Sequence, residues 1–480
     1  MMHMLNKIKK SVWWLLVPSL ALVWWLFSAP AVNSETDTIA SSETGVANVS
    51  EYQLDNGLKL IVKEDHRAPV VVSQVWYKVG SSYEYNGITG ISHQLEHMMF
   101  KGTENLGPNE FSQIIAANGG RENAFTGRDY TAYFQTLEKD RLEVSFRLEA
   151  ERMRNLKIDP AEVLKERDVV SEERRMRTDD NPKSLLREAF NSTAFVNSPY
   201  HHPVIGWMSD IQNYSLEDLN LWYQKWYAPN NATIVVVGDV EPDAVYALAK
   251  QYFSPLKPEV TAILKPQLEI PQKGTRSIQV KAPAELPYVM MGWKVPVVKT
   301  ADMAWEPYAL EVLAGILDGG ASARFARELV RGQEIAAGVG AGYGMFSRLD
   351  DVFTIAGTPS QGNTVAELKD AIRIQLELLK NETVTSEELA RVKAQVVAND
   401  VYEKDSVFYQ ALQIGMLDTI GVDWKLSDAY VDNVNKVTAE QVMSVAKKYF
   451  IDDGLTEAEL VPIRVNEQTM EKATGESHDS

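Results

Sequence analysis

The sequence predicts an α+β protein of two structurally similar domains, each a mostly antiparallel sheet backed by helices. Three observations carry this. The chain has 480 residues, more than one ordinary hydrophobic core serves. Short β-rich runs and tight turns alternate with long amphipathic helical stretches, and after a Pro- and Lys-rich segment at 255–274 the order of elements starts again. The halves also echo each other in sequence. Ser215-Leu216-Glu217-Asp218-Leu219 leading to Lys225-Trp226-Tyr227 parallels Thr438-Ala439-Glu440-Gln441-Val442 leading to Lys447-Lys448-Tyr449-Phe450, at an offset of 223 residues.

Taken in order, the chain opens with Lys7, Lys9 and Lys10 before an apolar run at 12–27, followed by Ser28-Ala29-Pro30-Ala31. This is the pattern of a secretory signal peptide cleaved after Ala31. An uncleaved anchor is the alternative, because 16 residues sit near the lower limit for a membrane span. The chain is thus expected to cross the inner membrane, into the periplasm if it is bacterial. Residues 32–48 are polar and read as a tether.

The first domain is expected over 49–254. Residues 52–54, Asp55-Asn56-Gly57 and residues 58–62 read as strand, tight turn, strand. Residues 70–79 form a second β-rich run. Helical patterns follow at 109–118, 137–155, 160–177 and 215–227, the last with Ser215 and Asp218 as an approximate capping box. Residues 122–126 and 130–134 read as strands around a polar turn, and 233–239 as a buried strand. The 255–274 segment is the expected linker. A second domain of the same plan spans 275–465, and 466–480 is a polar tail.

The chemistry concentrates at Ser92-His93-Gln94-Leu95-Glu96-His97. On a helix His93, Glu96 and His97 share one side, while Ile91, Leu95, Met98 and Met99 fall on the other. Two imidazoles and a carboxylate aimed at a common point suit two zinc ligands and a general base beside them. The order H-x-x-E-H is a metalloprotease signature. Net charge is −18, which argues against nucleic acid as a partner, and there is no cysteine, so thiol catalysis and cysteine metal sites are excluded.

Two histidines leave a tetrahedral catalytic zinc one protein ligand short. Glu166 and Glu173 fall inside the apolar arc formed by Val163, Val169, Val170 and Met176, with Glu172 toward the other side. Carboxylates placed there are desolvated unless a cation pairs with them. The pattern points to Glu166 or Glu173 without choosing between them.

At this point the chain resembles the pitrilysin/insulinase family of zinc peptidases. The pieces that match are Asn56-Gly57-Leu58, Gly80-Ser81, His93 to His97 with Phe100-Lys101-Gly102-Thr103, Asn123-Ala124-Phe125-Thr126, Glu166 with Glu173, His202-Pro203 and Trp226-Tyr227-Ala228-Pro229-Asn230-Asn231. The resemblance implies an α/β-roll repeat with one Zn²⁺ per chain. It assigns His93, His97 and Glu173 as ligands, Glu166 as support from outside the ligand shell, and Glu96 as the base. It also implies that Asn123 and Ala124 lie on an edge strand that takes peptide substrate by β-augmentation. Family members that act alone, and certain partner subunits, carry in the second half an arginine and a tyrosine separated by six residues. Here those positions hold Val330 and Ala337, and the nearby Arg331 and Tyr343 have the wrong spacing. The chain therefore resembles the zinc-bearing subunit of a two-subunit peptidase, with a homologous partner supplying the Arg/Tyr pair. The alternative is a structural or peptide-binding subunit with little activity of its own.

Overall fold

The computed structural model describes residues 48–260, 264–265 and 267–463. The expected signal peptide or anchor, the tether up to residue 47 and the polar tail lie outside the described residues. Among the described residues no helix is long and apolar enough to cross a membrane.

Strands β1 (Val49–Gln53), β2 (Lys59–Glu64), β3 (Val70–Tyr77), β4 (Arg121–Thr126), β5 (Thr131–Glu138) and β6 (Ala232–Gly238) form one sheet, in the order β1-β2-β6-β3-β5-β4. Strands β7 (Arg276–Pro283), β8 (Tyr288–Val295), β9 (Ala336–Gly342), β10 (Asp351–Pro359) and β11 (Leu455–Ile463) form the other, in the order β7-β11-β8-β10-β9. Each sheet is antiparallel except for one neighbouring pair, β2 with β6 and β7 with β11. With β1 set aside, the two orders match position for position. The β1–β2 turn needs its glycine: Gly57 has φ 88°, and a Cβ there would lie 2.8 Å from Asn230 Cβ.

The first half carries α1 (Ile91–Met98), α2 (Glu110–Ala117), α3 (Leu142–Arg154), α4 (Pro160–Arg174), α5 (Pro182–Ala194), α6 (Met208–Ile211), α7 (Leu216–Trp226) and α8 (Pro242–Phe253). The second carries α9 (Glu306–Asp318), α10 (Val365–Asn381), α11 (Ser386–Lys404), α12 (Val407–Ile420), α13 (Leu426–Lys436) and α14 (Ala439–Tyr449). The sequence echo is structural. Both α7 and α14 begin with complete capping boxes, Ser215 with Asp218 and Thr438 with Gln441. Strands β6 and β11 then begin at Ala232 and Leu455, the same 223-residue offset.

The described residues between α8 and β7 form no helix or strand, yet helices cross this boundary in both directions. Helix α5 lays Leu186, Phe190 and Ala194 against Met290, Val352, Ala458 and Leu460 of the second sheet. Helix α12 lays Ala411, Ile414 and Leu417 against Val72, Trp76, Val235 and Val237 of the first. Strands β3 and β6 are therefore buried on both faces, which explains their near-continuous Val/Ile runs. Gly415 is what lets α12 approach: a Cβ there would lie 2.1 Å from Nε1 of Trp76, itself fully buried. Gly415→Ala should cost about 1–3 kcal/mol through overpacking, read as a lowered urea midpoint with an unchanged slope. An unchanged midpoint would show that the α12–Trp76 contact is loose.

A polar pair of contacts repeats the exchange. Arg128 precedes β5 by three residues and reaches Asp351 of the second half at 3.1 Å. Arg348 precedes β10 by three residues and reaches back to Asp129 at 3.1 Å. Asp129 also accepts from the Ser82 and Tyr200 hydroxyls.

Candidate metal centre

Helix α1 is short and begins where a side-chain cap is missing. Gly90 stands at its N-cap with φ 85°. The buried carboxylate of Glu84 takes over, accepting from Gly90 N at 2.7 Å and Ser92 N at 2.9 Å. Burial still pushes the Glu84 carboxyl up to about 7, despite those two bonds. Ile91, Leu95, Met98 and Met99 enter the core, as the periodicity requires. His93, Glu96 and His97 face the other way.

Helix α4 starts at Pro160, with the Asp159 side chain accepting from Ala161 N at 2.8 Å. Its buried face is Val163, Glu166, Val170 and Glu173. Val169 and Met176 are exposed, contrary to the apolar arc read from sequence. The face turned inward meets α1, and the exposed valine and methionine lie outside it. Glu172 points to solvent and pairs with Arg175 at 2.7 Å.

This crossing brings ligating atoms of His93, His97 and Glu173 within 4.8 Å of one another. Glu173 Oε2 lies 3.8 Å from His93 Nε2 and 3.5 Å from His97 Nε2. Tetrahedral zinc, with bonds of about 2.0–2.1 Å, separates neighbouring donors by roughly 3.3 Å. One nitrogen from each imidazole and one carboxylate oxygen at these separations fit such a cation, whose binding displaces the His97 proton. His97 Nδ1 is 3.1 Å from Glu166 Oε2, so its Nε2 is the nitrogen presented to the cluster. Glu166 is held in turn by Lys101, with Nζ 2.6 Å from Oε1. His93 Nδ1 is buried without a hydrogen-bond partner.

The electrostatics match a cation-binding pocket. Burial pushes His93 down to about 3. Burial also acts to lower His97, but Glu166 and Glu173 outweigh it and hold it at about 9. Burial acts to raise Glu173, but His97, His93 and Arg177 together hold it at about 2. The carboxylate thus stays charged beside imidazoles that are displaced in opposite directions. Burial raises Glu96, the carboxyl beside the cluster.

Two contacts were not legible in the sequence. Thr126 Oγ1 donates to Glu96 Oε2 at 2.5 Å, and Lys101 braces Glu166. Both residues lie within the quoted motifs, but spacing alone did not show what they touch. Thr126 ends β4, the outer strand of its sheet, which pairs with β5. Asn123 and Ala124 sit on this strand, and Asn123 Oδ1 accepts from Ala124 N at 2.9 Å. In the second half, Arg331, in the helical segment Phe325–Gly332, donates to the Ala321 carbonyl in the turn before it, and Tyr343 OH donates to Pro296 O at 2.6 Å. Val330 and Ala337 carry no polar side chain toward any site.

Residues 59–206 match the family model described as insulinase (peptidase family M16), and residues 213–396 match the one described as the peptidase M16 inactive domain. A zinc protease, PqqE, of Helicobacter pylori is 38% identical over 362 residues, 74% of this chain and 79% of that protein. The crystal structure of a protease from H. pylori superposes with a TM-score of 0.82 at 33% identity, covering 87% of this chain and all of the other. A structure from Pseudomonas fluorescens, described as a peptidase M16 inactive domain, superposes at 0.78 with 20% identity, covering 88% and 99%.

Proposed function

Because this chain belongs to the insulinase family of peptidases, family M16, we propose that it is a zinc-dependent endopeptidase that hydrolyses short or unfolded peptides in an enclosed chamber. The observation that carries the reading is the convergence of His93, His97 and Glu173 beside Glu96. His93, His97 and Glu173 would hold the metal. When bound, zinc supplies Lewis acidity, making a water acidic near neutral pH and polarising the scissile carbonyl. Glu96 takes the proton of the attacking water and returns it to the leaving amine. Thr126 holds the Glu96 carboxylate in one orientation. Strand β4 receives the peptide as an added strand, which takes the Ala124 N–H from the Asn123 side chain.

The test is the purified chain loaded with one equivalent of zinc and given an unstructured fluorogenic peptide. Cleavage that a chelator stops and zinc restores supports the reading. Lys101→Met should free Glu166 and weaken zinc binding by about 10–100-fold, measured by chelator competition. Unchanged affinity would limit Lys101 to a surface role.

A second reading is favoured by Val330 and Ala337 standing where an arginine and a tyrosine would contact substrate. Here the chain works with a homologous partner subunit that supplies that pair, or serves mainly as that complex's structural or peptide-binding member. Cleavage by the chain only after the partner is added supports the two-subunit peptidase. Full zinc occupancy with no cleavage, alone or with the partner, supports the binding role. The N-terminal segment would export the complex, into the periplasm if the source is bacterial, and its retention would tether the chain to the inner membrane.

A further inference from the structure

The parallel pairing of β2 and β6 sets Glu64 opposite Gly238, so the two strands release their chains side by side at one end of the sheet. Four side chains with ligand chemistry emerge there: Glu64 at the end of β2 and His66 beyond it, Asp239 and Glu241 after β6. Asp65 is not among them, because it binds Arg67 at 2.7 Å and Gln410 at 2.9 Å.

His66 Nδ1 lies 2.6 Å from Asp239 Oδ1. Lys139 Nζ occupies the other Asp239 oxygen at 2.7 Å. Asp239 is therefore the acceptor for a proton on Nδ1 and turns Nε2 toward Glu64, the relation by which a carboxylate orients a metal-ligating histidine. His66 Nε2 is 3.6 Å from Glu64 Oε1, too far for a hydrogen bond. Ligating atoms of Glu64, His66 and Glu241 all fall within 4.8 Å of one another. Two carboxylates this close repel one another unless a positive charge, the protonated imidazole or a metal cation, lies between them.

We propose that Glu64, His66 and Glu241 form a second, solvent-facing site for a divalent transition-metal cation, with Asp239 orienting the imidazole. One nitrogen and two carboxylate oxygens suit Zn²⁺ or Mn²⁺, with water completing the shell on the exposed side. The site shares no residue with the His93–His97–Glu173 cluster. It links the end of β2 to the residue immediately before α8, so it cross-links the sheet to its closing helix.

The test uses the full chain and zinc alone. Equilibrium dialysis with metal analysis should find two equivalents in the wild type. His66→Ala and Glu241→Gln should each remove one equivalent and leave peptide cleavage unchanged. His93→Ala should remove the other equivalent and keep this one. In the wild type, Mn²⁺ should broaden one histidine resonance that disappears in His66→Ala. A single equivalent in the wild type overturns the proposal, as does a second equivalent that survives both substitutions. Neither outcome touches the catalytic reading, which rests on the His93-dependent equivalent.

Discussion

Glu96→Gln will keep one equivalent of zinc at the His93–His97–Glu173 cluster and lose about 10²–10⁴-fold in kcat, the usual share of a general acid–base group. The substitution is nearly isosteric. The amide oxygen can still accept from Thr126 Oγ1, so the side chain stays where the carboxylate was. What it loses is the ability to take a proton from water and return it to the leaving amine. Zinc content by metal analysis and hydrolysis of a fluorogenic peptide separate the two effects. Hydrolysis within tenfold of wild type would remove Glu96 from the mechanism. Joint loss of zinc and hydrolysis would instead make it part of the metal shell.

The second large effect concerns the third ligand. Glu173→Gln should drop zinc to well below one equivalent after dialysis, whereas Glu172→Gln should bind like wild type. The neighbours differ in direction. Glu173 is buried, with one oxygen facing both imidazoles and the other on Arg177 at 2.5 Å. Glu172 is solvent-facing and pairs with Arg175. An amide at 173 removes the charge of the third ligand and replaces the Arg177 ion pair with a neutral contact. Glu166→Gln should fall between, because it touches the centre through His97 Nδ1. Equal zinc loss at 172 and 173 would mean α4 presents a different face to α1.

Much of the fold was legible because it is written in local patterns. Tight turns, N-caps and alternating runs depend on neighbours within a few residues. The two sheets backed by helices follow from those patterns. The exchange of α5 and α12 between the sheets does not. An amphipathic pattern says that a face is buried but not which surface covers it, and the covering partners of α12 lie more than 170 residues away. The wheel drawn for α4 went wrong for the same reason. It counted Val169 and Met176 as inward, yet both are exposed. Apolar side chains on a surface carry no local mark of their exposure.

The metal centre divides along the same line. The spacing of His93, Glu96 and His97 already settles that two imidazoles and a carboxylate share one side of α1, because helical geometry fixes residues three and four apart onto one face. Likewise Glu166 and Glu173 share a face, since seven residues are nearly two full turns. Periodicity leaves open which of the two is the ligand, and the family resemblance assigns Glu173; the packed structure supplies the reason, since Glu173 faces Nε2 of both histidines whereas Glu166 meets only Nδ1 of His97. Two turns separate the pair by about 10 Å along the axis, so Glu173 alone stands level with Nε2 of both imidazoles. That level is set by packing between elements far apart in the chain, and no periodicity within α4 encodes it.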